Sequence, residues 1–148
     1  MSSLPSFDLE RLVQLVYDAT DDPRGLPDVL AQIAQRVGAN KAHLMALSDG
    51  DLVDNHIFGD EAALFAAYER WRPQDPRIAA AAARPGMVLS DVDVIDSKTF
   101  EQSAIYNEHL SRVGVRYTMF AMSPAGPGLV AAPAFMRPAD REPFGAAE

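Results

Sequence analysis

Apolar residues along this chain recur at two different periods. Leu9, Leu12, Val13, Val16 and Tyr17 follow the i, i+3, i+4, i+7, i+8 spacing of one amphipathic helix face. Ser6 or Asp8 can cap its start, and Asp21-Asp22-Pro23 ends it, because proline disfavours helical backbone in the residue before it. A second stripe, Val29, Leu30, Ile33, Ala34 and Val37, begins near Pro27, a favoured first position, and Gly38 stands where a left-handed cap belongs. The period then shortens. Residues 42–48 and 51–58 read as strands around Asp49-Gly50, a strong hairpin signal.

Helical spacing returns over 60–72, where Ala63, Leu64, Ala67, Tyr68 and Trp71 share a face that Pro73 interrupts. Residues 77–84 form a short alanine-rich helix ended by Pro85-Gly86, and Met87-Val88-Leu89 a short strand. Residues 99–113 read as a helix carrying Phe100, Ile105, Tyr106 and Leu110, with Gly114 as its cap. Strands over 115–123 and 129–137 make a second hairpin with a looser turn at 124–128. The order α-α-β-β-α-α-β-α-β-β predicts an α+β fold, a five-stranded antiparallel sheet with helices on both faces. No repeat or interior linker divides it, so residues 1–148 read as a single domain. The closing Gly145-Ala-Ala-Glu148 reads as the start of a last helix that is cut short.

Composition narrows the function more than the fold. At 148 residues the chain can bury roughly two thirds of its unfolded surface. It has no cysteine, which excludes disulfides and thiolate metal sites. A net charge of −8 and no basic face argue against direct binding of nucleic acid. No apolar run approaches the roughly 20 residues of a membrane span, and the N-terminus lacks an export signal. A cytoplasmic protein without membrane contact is the expectation.

Candidate chemistry is sparse. No nucleophile elbow, zinc-protease, phosphate-loop or dinucleotide motif is present. A two-residue turn at Asp49-Gly50 would set His43 opposite His56, with Asp54 a diagonal neighbour on the same face. That trio has the composition of an iron or zinc site, and a small metal-dependent enzyme is the remote alternative it raises. The simpler reading is a polar cross-strand pair. Asp91, Asp93 and Asp96 fail the calcium-loop pattern, which needs glycine at position six and glutamate at twelve. They read as a solvated strand edge leading to a helix that Asp96 or Ser97 can cap. Arg70, Arg72, Arg77 and Arg84 read as a solvated face.

The aromatic and methionine residues are more suggestive. Met45, Tyr68, Trp71, Phe100, Tyr106, Met119, Phe120 and Met122 fall on strands and inserted helices. They would form an ordinary core, or they would wall a small-molecule pocket.

Several motifs in order then carry a resemblance. They are Leu9 to Tyr17, Tyr68-Glu-Arg-Trp71-Arg-Pro-Gln-Asp75-Pro76-Arg77 with Pro85-Gly86, Ser103-Ala-Ile-Tyr106-Asn107-Glu-His-Leu110, Gly114-Val-Arg116, and Arg137-Pro138 with Phe144. Together they resemble the N-terminal sensory domain of LuxR-type helix-turn-helix transcriptional regulators. The resemblance implies a PAS/GAF-like α/β sandwich, a homodimer, and a DNA-binding domain that this chain does not contain. It implies no cofactor. In the acyl-homoserine-lactone receptors of that family an aspartate before proline bonds the ligand amide. Asp75-Pro76 matches that pair and Tyr68 the aromatic residue before it. The two tryptophans of those receptors, near Leu64 and near Met87-Val88-Leu89 here, have no counterpart. Asp75 has a second reading, as the cap of the helix that begins at Pro76.

These residues imply a domain that senses a small apolar or amphipathic molecule held between sheet and inserted helices. Tyr68, Trp71, Asp75, Met45, Phe100, Tyr106, Met119 and Met122 are the expected contacts. A ligand-free dimerisation module, using Leu9, Val13 and Val16 as its interface, is the alternative.

Overall fold

The computed structural model describes residues 23–59 and 67–145. The predicted first helix over residues 9–21 and the first part of the predicted 60–72 helix lie outside them. After a 3-10 turn at Pro23–Gly25, helix α1 spans Leu26–Arg36. Its C-terminus is a complete Schellman motif. Gly38 adopts φ +68°, its N–H reaches Gln35 O (3.3 Å), and Ala39 N–H reaches Ala34 O (2.8 Å).

Six antiparallel strands follow in one sheet ordered β2-β1-β6-β4-β3, with β5 also paired to β6. They are β1 (Lys41–Ser48), β2 (Asp51–Phe58), β3 (Leu89–Ser90), β4 (Tyr117–Phe120), β5 (Ser123–Gly126) and β6 (Leu129–Arg137). The architecture is α+β, as the periodicity predicts, with one strand more than expected. The additional strand arises because the predicted 115–123 strand stops at Phe120. Ala121 still bonds Pro133 O (3.2 Å), and pairing with β6 resumes from Ser123 to Gly126, so the second hairpin turns tightly over Pro127-Gly128. β3 keeps only Leu89 of the predicted strand. Met87 and Val88 lie before it, exposed.

Side-chain alternation divides the core between the two faces of the sheet. On one face, Ala42, Met119 and Phe135 pack with Leu30 and Ala34 of α1, and Phe144 closes that layer. On the other, Met45, Ala132 and Met136 pack under the inserted helices. These are α2 (Tyr68–Trp71), α3 (Pro76–Ala82), α4 (Asp91–Val94) and α5 (Ser97–Glu101). Residues 99–113 are therefore not one helix. Ser103 turns its hydroxyl back onto Phe100 O (2.6 Å), and the chain re-enters helical form as a π turn at Tyr106–Leu110, with Ser111 N–H on Tyr106 O (2.8 Å). Gly114 ends it at φ +74°, the role predicted for it.

The Asp49-Gly50 turn is two residues long, with both φ positive, but the register is not the one a simple hairpin gives. A bulge between Ala46 and Leu47 shifts the pairing by one residue. Ile57, not His56, lies opposite His43, and His56 lies opposite Leu44. A one-residue slip reverses every face, so the two histidines project from opposite sides of the sheet. The His43–His56–Asp54 metal site is thereby ruled out. His56 instead bonds its neighbour Asp54 at 2.9 Å in the open.

Leu110, 2% exposed, sits in the core layer under the inserted helices, whereas Val53 on β2 is 58% exposed. Leu110→Ala is expected to cost about 2–5 kcal/mol in chemical denaturation, from lost transfer energy plus a cavity. Val53→Ala is expected to stay within about 0.5 kcal/mol of wild type.

Candidate functional site

The proline at position 76 sets the site. It holds Asp75 in extended backbone (φ −79°, ψ 111°) and opens α3, so Asp75 becomes the N-cap, accepting Arg77 N–H on Oδ1 at 3.0 Å. The same carboxylate takes the Arg77 side chain from beside. Nε donates to Oδ1 at 2.9 Å and Nη2 to Oδ2 at 2.9 Å. Tyr68, at the start of α2 and separated from Asp75 by the 3-10 turn Arg72–Gln74, donates its hydroxyl to Oδ2. Arg77 Nη1 then reaches across to Thr118 Oγ1 on β4 at 2.7 Å. Asp75, Arg77, Tyr68 and Thr118 are all buried. The knot therefore ties α2 and α3 to β4 of the sheet.

Electrostatics inside it follow from burial against partners. Burial alone would push the Asp75 carboxyl up. The Arg77 charge and the hydrogen bonds from Arg77 and Tyr68 outweigh it and hold the group below the ordinary carboxylate range. Arg77 is held above its usual value, since Asp75 outweighs the burial that would lower it. Burial, reinforced by the Asp75 charge, pushes the Tyr68 phenol up, so it stays a proton donor.

Beside the knot lies a cavity with about 500 Å3 of empty volume, counting the part open to solvent. Its existence has a sequence cause. In the row that crosses the sheet, β6 presents Ala132 and Ala134 between Met45 and His43 of β1 and Phe120 of β4. Two small side chains between larger ones leave a trough. Helix α3 roofs it with Ile78 and Ala81, and Met122 closes one side. The walls are apolar, and Asp75, Arg77 and Thr118 supply polar groups from one end, an arrangement suited to an amphipathic small molecule. His43 also lines it. Burial lowers its pKa against the hydrogen bond to Asn55 Oδ1, leaving it neutral near pH 7.

Of the eight residues expected in a site, the structure brings Met45, Tyr68, Asp75 and Met122 to this cavity. Trp71 is buried behind it. It stacks on His109 at 6.4 Å between ring centroids, and His109 stacks on Tyr68 at 6.1 Å. Phe100 and Tyr106 form an aromatic bed. The Arg77 and Arg116 guanidinium carbons stand 5.6 and 5.2 Å from the Phe100 ring, and Arg116 is 5.7 Å from Tyr106. Met119 is a correction. On β4 it alternates with Thr118 and Phe120 and points to the α1 face, with Phe135 opposite it.

Two other expectations are also overturned. Arg77 does not belong to a solvated face; Arg70 and Arg84 are exposed as expected. The signal that could have found Arg77 is its place two residues after a helix-capping aspartate, where backbone and side chain reach the same carboxylate. Asp91 is not solvated either. It is 2% exposed and 3.6 Å from Arg116, which also meets Glu101 at 2.9 Å. Asp96 does cap α5, accepting Thr99 N–H at 3.0 Å. Among the described residues, no group of three or more His, Asp or Glu side chains is placed to hold a metal ion.

No protein-family model matches the chain, and no curated protein does. Solved structures do. One is the N-acylhomoserine-lactone-dependent LuxR-family transcription factor CepR2 from Burkholderia cenocepacia, at TM-score 0.64 and 18% identity over 96% of this chain and 84% of that one. The LBD domain of VqsR from Pseudomonas aeruginosa gives TM-score 0.67 and 19% identity over 97% and 85%. SdiA in complex with octanoyl-rac-glycerol gives 0.68 and 14% over 99% of this chain and 60% of that longer one. The chain thus has the α/β-sandwich fold of ligand-binding domains from LuxR-family regulators. No helix among the described residues is long and apolar enough to cross a membrane.

The depressed Asp75 pKa gives a signed pH dependence. Between its folded value and the ordinary 3.8 the unfolded chain binds more protons, so stability rises with pH there. The contribution of the pair is complete above 3.8 and is lost as pH falls through the folded value. Urea titrations below pH 4 should show this acid limb in wild type and a flatter one in Asp75→Asn. Tyr68→Phe, which removes a donor to a buried carboxylate, should cost about 1.5–3 kcal/mol at pH 7.

Proposed function

We propose that this chain is the ligand-sensing regulatory domain of a LuxR-type transcriptional regulator. Its ligand is a small apolar or amphipathic molecule held between the sheet and the inserted helices. The observation that carries the reading is the cavity over Ala132 and Ala134, apolar along its walls and polar at one end, on a fold shared with ligand-binding domains. CepR2 is described as N-acylhomoserine-lactone dependent, and SdiA was solved with octanoyl-rac-glycerol. Both names describe molecules with a lipophilic chain and a polar head, the type this cavity suits. Met45, Tyr68, Asp75 and Met122 are assigned to the binding site. Trp71, Phe100 and Tyr106 are assigned to support it from behind.

Under this reading the protein is a cytoplasmic regulator rather than an enzyme. It acts as a homodimer, and DNA is contacted by a domain outside these 148 residues. Ligand occupancy biases the packing of the helices over the cavity, a shift between pre-existing arrangements.

The test is ligand retention. Native mass spectrometry of the purified chain should show a co-purified lipophile, or a panel of lipophilic metabolites should raise the melting temperature. A ligand at 100 times its Kd adds about 2.7 kcal/mol. Neither signal appearing would refute sensing. Ala132→Leu, which fills the trough, should abolish the ligand-induced shift while the unliganded domain stays folded.

A further inference from the structure

The polar end of the cavity also restricts the chemistry of what it holds. A carboxylate has about four acceptor positions. Asp75 commits its own to Arg77 N–H, Arg77 Nε, Arg77 Nη2 and the Tyr68 hydroxyl. It has nothing left for a donor on a ligand. The Tyr68 proton is spent on the same carboxylate. Arg77, by contrast, has five N–H donors. One on Nε and one on Nη2 go to Asp75, and one on Nη1 goes to Thr118. Nη1 and Nη2 each keep an N–H without a partner among the described residues. Thr118 accepts from Arg77 and retains its own O–H. The side chains at this end thus offer spare donors and no spare carboxylate acceptor.

Charge refines the choice. Arg77 is neutralised by Asp75 at 2.9 Å, and the buried Arg116 behind it faces Asp91 at 3.6 Å and Glu101 at 2.9 Å. Both guanidinium groups described at this end, Arg77 and Arg116, thus have acidic partners. A ligand carboxylate would add a further negative charge to a buried region that already holds Asp75 and Asp91, which is costly.

Resting on the ligand-sensing reading, we propose that the ligand's polar head is a neutral oxygen acceptor, such as an ester or ketone carbonyl. It is held by the spare N–H groups of Arg77 and the hydroxyl of Thr118, and it needs no N–H of its own. The site therefore selects neutral lipophilic carbonyl compounds and is indifferent to the amide donor that an unengaged aspartate would recognise.

Matched probes test this on the wild-type chain, so no variant has to fold. They are N-octanoylethanolamine, its oxygen isostere 2-hydroxyethyl octanoate, and octanoate, compared by calorimetry at pH 7. The ester should bind within about threefold of the amide, and octanoate at least about tenfold more weakly than either, the scale of one unmade buried interaction. Carbon-13-edited infrared spectra should show the ester carbonyl stretch moving to lower frequency on binding, as strong donors polarise it. An amide tighter than the ester by tenfold or more, octanoate matching the ester, or an unshifted carbonyl stretch would each overturn the proposal. So would failure of all three probes to bind. If native mass spectrometry then recovered another lipophile from the protein, sensing would stand while the proposed head-group chemistry fell. With no lipophile recovered, both would fall.

Discussion

The buried pair of Asp75 and Arg77 is the interaction on which the rest of this structure depends. It joins both helices over the cavity to each other and to the sheet. α2 enters by the Tyr68 hydroxyl, α3 by its own N-cap, and β4 by Thr118. A buried ion pair is a poor source of stability, because desolvating two charges cancels most of their attraction. What it does supply is a penalty for error. Removing either partner strands a charge, at about 3–5 kcal/mol, so the helices have one acceptable seat on the sheet. Aliphatic contacts alone would let short helices such as α2 and α3 slide. The same network that fixes the seat also uses up the carboxylate, which leaves spare hydrogen-bonding capacity on the guanidinium rather than on the aspartate.

The second constraint is the alternation of β6. Phe135 fills one face against α1, while Ala132, Ala134 and Met136 lie on the other. Small residues on a central strand would normally leave a layer underpacked, since interiors are close-packed and voids forfeit dispersion energy. Here the missing volume is concentrated in one row and roofed by α3, so it becomes a single cavity rather than scattered defects. The underpacking is then intelligible as the cost of leaving room for something else.

Much of this was legible in the chain itself. The helical stripe of α1, the Asp-Gly hairpin and the final strand needed only periodicity, and Gly38 and Gly114 needed only cap chemistry. Met45, Tyr68, Asp75 and Met122 could be placed near one another because they lie on elements that must pack together. What escaped was whatever depends on a single residue of register or a long-range partner. The bulge beside Leu47 reversed the faces of β2 relative to a regular ladder, and so separated His43 from His56. Met119 matches the cavity methionines in residue type, but strand parity alone decides its face. Arg77 and Asp91 read as surface charges because charged residues usually are, and the contacts that fix them in the interior are long-range: Thr118 is 41 residues from Arg77, and Asp91 faces Arg116.

The two readings of Asp75, cap or ligand anchor, are better understood as one arrangement than as rivals. As a cap it must face the backbone N–H of Arg77. Once there, the side chain of that arginine folds onto the same oxygens and displaces the role a free aspartate would have. A substitution from the Asp-Pro-Arg pattern to Asp-Pro followed by an aliphatic residue would restore open acceptor positions and remove the spare donors together. Under the proposed sensing role, ligand chemistry would thus be governed two residues beyond the aspartate, at a position whose side chain folds back onto the capping carboxylate. The cap reading, far from competing with a binding role, specifies what kind of head group such a role can accept.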